Sequence, residues 1–264
     1  MIKTLARLGY ASKGLIYAIV GSLALAAALN RGGPITDTRG ALRVLLTQPL
    51  GNTLLWLVAI GLCGYALWRL LDAVFDPDRH GSKFSGLVVR IGSLARGLAY
   101  GAIGLEAFRL ARGLRASSSG HTSRQTRLWT ARIMDLPFGE WLVALTGLIV
   151  VGYGIWEIVK AVRQDTDKSV DPSELPAAVR TPLVNIARFG VVARAAVIIV
   201  LGVFLARAAL QHDPSKALGP RESFVEVVGL FDSRWALAAM GLGFIAYGVD
   251  QAVHAWCRRI RSPI

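Results

Sequence analysis

The chain is poor in the residues that build metal and redox centres. Its 264 residues include only two cysteines and four histidines. Cys63 and Cys257 have neither metal-site nor disulfide spacing, so they read as small apolar fillers in or beside hydrophobic segments. His80, His121 and His212 stand isolated in loop-like sequence, and no HExxH, GxSxG, P-loop or dinucleotide fingerprint occurs. No metal, cofactor or catalytic centre is therefore expected, and the chain reads as a non-enzyme. Acids are also outnumbered, with 17 Asp and Glu against 30 Lys and Arg, a net charge of +13. In a soluble protein such an excess suggests nucleic acid. Here the bases cluster at the ends of apolar runs, where they suit anionic lipid headgroups, and nucleic-acid binding is set aside.

What abounds is apolar sequence: 53% of residues are hydrophobic and mean hydropathy is +0.48. Six segments carry most of it: Gly9–Leu29, Thr53–Val74, Gly92–Ala111, Glu140–Ala161, Gly190–Leu210 and Arg234–Trp256. Each is close to the ~20 residues that cross a ~30 Å hydrocarbon core. Near the N-terminus Lys3, Arg7 and Lys13 precede an apolar run, Gly14 to Leu29, that resembles a signal peptide. Equivalent segments recur deep in the chain, so it reads as a retained helix.

The odd segments share one pattern. An Arg (Arg7, Arg90, Arg188) is followed two residues later by Gly9, Gly92 or Gly190, then by a base at Lys13, Arg96 or Arg194. A small residue comes next (Gly14, Gly97, Ala195), and a Gly closes the motif at Gly21, Gly104 and Gly202. The even segments repeat Gly64-Tyr65-Ala66-Leu67-Trp68 as Gly152-Tyr153-Gly154-Ile155-Trp156, with Tyr247-Gly248 in the third. The unit is a helical hairpin present three times, over roughly 1–80, 81–168 and 180–264. A unit with two crossings returns the chain to its starting side, so the copies are parallel repeats. The expected fold is all-α: a polytopic membrane protein of six transmembrane helices with pseudo-threefold symmetry about the membrane normal.

Short amphipathic pieces lie between odd and even segments. Ala41, Leu42, Leu45 and Leu46 form one apolar face; Phe224, Val227, Val228 and Phe231 form another. Leu128, Trp129 and Ile133 make a weaker version among Arg124, Arg127 and Arg132. These read either as helices at the membrane surface or as connectors packed on the bundle. The stretches Asp76–His80, Ser117–Gly120 and Gln164–Pro182 read as turn, flexible loop and extended linker.

Three constellations could carry function. Lys13, Arg96 and Arg194 could converge on a small anion, with Arg7, Arg90 and Arg188 nearer the helix ends for anion or lipid headgroups. The simpler expectation is that the bases snorkel to the interface as anchors. Only 13 residues, about 20 Å of helix, separate Arg96 from Arg109, which puts Arg96 near an interface. Gly14, Gly21, Gly97, Gly104 and Gly202 form small-residue stripes that suit close helix packing in lipid. Asp250 and His254, four apart, form a candidate polar pair or proton relay, and Glu106 can pair with Arg109.

The Ala6–Gly14 stretch and the Gly64–Trp68 element resemble an uncharacterised bacterial membrane-protein family, domain of unknown function 1206, with three tandem two-helix repeats. The resemblance implies architecture and no activity. The third copy departs from it with Ala195 for Gly and Ile198 where Tyr17 and Tyr100 stand. The expectation is an inner-membrane protein, structural or associated with anionic lipids, with a small-anion channel or transporter as the rival; no oligomeric state follows. The side holding both termini carries the larger share of Lys and Arg, which predicts cytoplasmic termini. A C-terminal fusion should then give active fluorescent protein and inactive periplasmic phosphatase; the reverse pattern would invert the topology.

Overall fold

The computed structural model describes residues 2–31, 34–75, 84–114, 121–163, 177–231 and 233–257. Within them the chain forms helices α1 (Ile2–Ala28), α2 (Thr38–Leu46), α3 (Gly51–Phe75), α4 (Phe84–Ala111), α5 (His121–Met134), α6 (Gly139–Val162), α7 (Ala177–Leu210), α8 (Pro220–Gly229) and α9 (Arg234–Cys257), with no strand. The stretches Asp76–His80 and Ser117–Gly120, and 164–176 of the expected linker, lie outside the described residues. The remainder of that linker is helical: Pro182 lies inside α7. So near the helix start, proline removes one backbone bond and leaves the later turns intact.

Among the described residues, five helices, α1, α3, α6, α7 and α9, contain segments long and apolar enough to cross a membrane. The sequence reading expected six. α4 has the length, at 28 residues, but Arg90, Arg96, Glu106 and Arg109 interrupt its apolar sequence.

Each odd long helix ends in the same way. Asn30, Gly113 and His212 adopt left-handed φ of 54°, 71° and 53° two residues beyond α1, α4 and α7. In the first case Asn30 N–H bonds Ala27 O and Arg31 N–H bonds Ala26 O; Gly113 with Leu114, and His212 with Asp213, repeat the pair. This crossed pattern satisfies carbonyls that a helix end leaves open.

Helices α2 and α8 are packed connectors. Ala41, Leu42 and Leu45 on α2, and Phe224 and Val227 on α8, are buried, while Leu46 and Phe231 at the margins of the two apolar faces are exposed. α5 keeps Leu128 and Trp129 exposed. Arg39 donates to Gln125, Arg221 to the Ile35 carbonyl, and Arg127 pairs with Glu222, so the connectors form one cap over the same end of the bundle.

Among the described residues, the most extensive interfaces join α1 with α9, α3 with α4, and α6 with α7. Each pairs an even long helix with an odd helix of the neighbouring repeat. Within hairpins, α1 packs on α3 and α7 on α9, whereas α4 and α6 share no comparable interface. The middle hairpin is therefore open, and the three hairpins are not equivalent.

The small-residue stripes lie on the inter-repeat interfaces. A Cβ on Gly14 would stand 2.8 Å from the Gly248 carbonyl, and one on Gly202 would stand 2.8 Å from that of Gly147. Gly21 faces Gly241, Gly97 faces Leu70 and Ala66, and Gly104 faces Cys63. Cys63 itself is exposed, with its sulfur 3.0 Å from where a Gly104 Cβ would stand, so it packs at the edge of the α3–α4 seam. Gly9 abuts α3 at Gly61 and Tyr65, and Gly190 abuts α9 at Tyr247. Gly92, at the same register in the open hairpin, has only the Arg96 guanidinium near its missing Cβ, at 3.6 Å.

Backbone contacts of this kind leave no room for a larger side chain, because two helices must separate to admit it. Overpacking of this kind costs about 1–3 kcal/mol or more. Gly14→Leu and Gly202→Leu should each lower the melting temperature in detergent. Gly152→Ala, at a site with nothing within 4 Å, should leave it unchanged or slightly raised. Equal tolerance of all three substitutions would contradict the seam.

Candidate functional site

Among the described residues, two cavities lie stacked along the length of the bundle. The first, of about 350 Å³, is polar and lies on the side of the α1 start and the α9 end. Odd helices contribute Tyr10, Lys13, Arg96, Val191 and Arg194; even helices contribute Tyr65, Arg69, Tyr153, Glu157, Lys160, Tyr247, Asp250, Gln251 and His254. The second, of about 360 Å³, is largely apolar and lies towards the connector cap. α4 and α7 form most of its wall, with Ile103, Val197, Ile198 and Leu201. Tyr17, Val20, Phe224 and Phe244 complete it. Arg96 and Arg194 line both cavities.

The layer between them gathers the three bases of the repeat motif. Lys13 is 6% exposed and therefore does not snorkel. Its ammonium lies 5.0 Å from the Tyr100 ring centroid, 5.2 Å from Tyr247 and 5.8 Å from Tyr65. Three aromatic faces supply the electrostatic attraction that burial removes from water. Arg194 donates to Tyr17 Oη at 3.4 Å, meets Glu157 Oε2 at 3.4 Å, and lies over Tyr247. Tyr153 donates to the other Glu157 oxygen at 2.6 Å. Arg96 lies 5.7 Å from the Tyr153 ring. Tyr17 and Tyr100 close the layer with a hydroxyl contact of 3.3 Å.

A second network backs the polar cavity. Arg69 donates to Tyr65 and Tyr10 and pairs with Asp72, which also accepts from Ser93 at 2.8 Å. His254 stacks on Tyr10, bonds the Asp250 carbonyl at 2.8 Å and lies 3.5 Å from the Asp250 carboxylate. Asp250 and His254 are thus a buried pair in the cavity wall. Gln251 donates to Asp250, and its own buried Oε1 has no hydrogen-bond partner.

The outer bases do other work. Arg90 donates to the Ala73 and Val74 carbonyls at 2.7 and 3.0 Å, capping the C-terminal end of α3. Arg188 reaches Asn185, and Arg7 is exposed. Neither Arg7, Arg90 nor Arg188 lines the cavities. Glu106 turns into the core with Oε1 unpartnered, and no ion pair joins it to Arg109 among the described residues.

The sequence reading missed Arg69 and Glu157. The available signal was a register: Arg69, Glu157 and Gln251 each follow the repeat tyrosine, Tyr65, Tyr153 or Tyr247, by four positions. Four positions return a helix to the same face. A second signal was that all six tyrosines of the chain line one cavity or the other.

The polar cavity is basic on balance. Lys13, Arg69, Arg96, Lys160 and Arg194 face Glu157 and Asp250 across the polar cavity, so bases exceed acids. Among the described residues, neither Lys13 nor Arg96 is in ion-pair contact with a carboxylate. No group of three or more metal-binding side chains occurs among the described residues.

No solved structure matches the chain. The Bacillus subtilis (strain 168) protein described as Uncharacterized protein YxxB is 34% identical over 248 residues, covering 94% of this chain and 88% of the relative. The model of the Domain of Unknown Function (DUF1206) matches residues 8–76, 91–164 and 189–258, one match for each hairpin. Three matches in tandem, over hairpins with one motif and one helix-ending geometry, identify the chain as a member of the DUF1206 family.

Proposed function

We propose that this protein is a non-enzymatic carrier or channel of the bacterial inner membrane that binds a small anion in the polar cavity. The observation that carries the reading is the convergence of Lys13, Arg96 and Arg194, one from each repeat, on that cavity. Buried like charges repel strongly in a low dielectric. Tyrosine rings and one shared carboxylate offset part of that cost, and an anion between the bases offsets more. Anchoring alone gives no reason to draw a lysine away from the interface into an aromatic cage.

In this reading α4 is a sixth crossing. Its charges are tolerated because Arg96 turns to the cavity and Arg90 to the α3 carbonyls. The hairpins then surround a pseudo-threefold axis along the membrane normal, and both termini are cytoplasmic. The two cavities, separated by the Tyr17–Tyr100 contact and Arg194, form an interrupted path along that axis. The exposed Arg7 and the half-buried Arg188 fit contacts with anionic headgroups.

The test is ligand-induced stabilisation of protein in nanodiscs of zwitterionic lipid, titrated with chloride, phosphate, sulfate and acetate at constant ionic strength. At least one anion should raise the melting temperature saturably, as mass action requires. Lys13→Met should abolish that shift. A flat response to all four anions would overturn the binding site. A second prediction concerns passage: proteoliposomes should transport the stabilising anion, and Arg194→Gln should reduce its flux at least about tenfold, a barrier change of about 1.4 kcal/mol. Flux equal to that of empty liposomes would remove the transport role.

A further inference from the structure

The apolar cavity and the open hairpin together narrow the class of anion. We propose that the ligand is an amphiphilic acid with a single alkyl chain, its acidic head on Lys13, Arg96 and Arg194 and its tail in the apolar cavity. This rests on the anion-binding reading above.

Three independent observations support it. First, Arg96 and Arg194 line both cavities, so a head held by these guanidiniums borders an apolar chamber that the Tyr17–Tyr100 hydroxyl contact and Arg194 itself divide from the polar one. A free inorganic anion has no use for that chamber. Its volume of about 360 Å³ lies within the range of small-molecule sites. Second, the bundle is open where such a ligand has to pass. α4 and α6 share no extensive interface, and Gly92 has open space where Gly9 and Gly190 meet a neighbouring helix. α4 and α7 make most of the apolar cavity wall, while α6 contributes nothing to it. A ligand dissolved in the bilayer can thus reach the chamber from the side, tail in lipid throughout. Third, the repeat is broken where the tail would lie. Tyr17 and Tyr100 occupy this position in the first two repeats, whereas the third has Ile198 in the cavity wall. A third tyrosine would bring another hydroxyl and more bulk into the chamber.

The experiment measures binding of radiolabelled octanoate and acetate to nanodisc-embedded protein by flow dialysis, with empty nanodiscs subtracted. Octanoate should bind saturably, with an affinity at least about tenfold above acetate, because each buried methylene adds to binding. Octyltrimethylammonium, with the same tail and the opposite charge, should not compete. Ile198→Tyr should bring octanoate affinity down towards that of acetate while leaving acetate unchanged, and Leu201→Trp should do the same by filling the chamber. Equal wild-type affinity for the two acids would overturn the amphiphile and leave the anion site standing. So would a chain-length preference untouched by both substitutions in folded protein. If neither acid binds the wild type while chloride, phosphate or sulfate stabilises it, the amphiphile alone fails; if none of these ligands has any effect, the anion site fails with it.

Discussion

Much of this structure follows from the cost of holding Lys13, Arg96 and Arg194 in one layer inside an apolar bundle. A single ion moved from water to a dry interior loses several kcal/mol even after relaxation, and the three repel one another. The surroundings answer that cost in several ways. Tyrosine faces enclose Lys13, and Glu157, itself held by Tyr153, faces Arg194. Tyr17 accepts from Arg194 while touching Tyr100. Those partners come from α1, α3, α4, α6 and α9, so the layer exists only if the helices approach closely. Gly14 against Gly248 and Gly202 against Gly147 give that approach. Glycine seams and buried cations are in this sense one feature, since the first brings the second together.

The repeats supply a scaffold, and their divergence supplies chemistry. Four residues after the shared tyrosine stand an arginine, a glutamate and a glutamine, at positions 69, 157 and 251. Three residues further stand Asp72, Lys160 and His254, all within the polar networks or the cavity wall. Unlike groups at like positions allow charge to be balanced across the cavity. Arg69 finds Asp72 on its own helix, Arg194 finds Glu157 on the next, and Lys13 is left to aromatic rings.

Helices and repeats were legible in the sequence because they rest on local properties: apolar run length, spacing of small residues, and glycine or proline at the ends. The stripe glycines could be read as packing positions for the same reason. The depth of the bases could not. The 13-residue spacing from Arg96 to Arg109 places Arg96 near an interface, whereas α4 begins at Phe84 and Arg96 is well inside it. Lys13 likewise lies about halfway along α1, out of snorkelling reach. Which face of a helix meets its neighbours is a tertiary property, and a base near the charged end of an apolar run reads the same whether it turns inward or outward. Asp250 with His254 was visible as a pair by spacing, but its burial against Tyr10 needed the fold.

The chain could in principle have been a homotrimer of one hairpin, since each long interface joins an even helix to the odd helix of the neighbouring repeat. Identical subunits would then put the same residue at all three equivalent positions: three arginines, three glutamates or three glutamines around one axis. Covalent linkage in a single chain removes that restriction. It permits one arginine, one acid and one amide at equivalent repeat positions, and it lets one hairpin stand open while two stay closed. The asymmetry of the cavity is therefore a property that only the fused, diverged chain can possess.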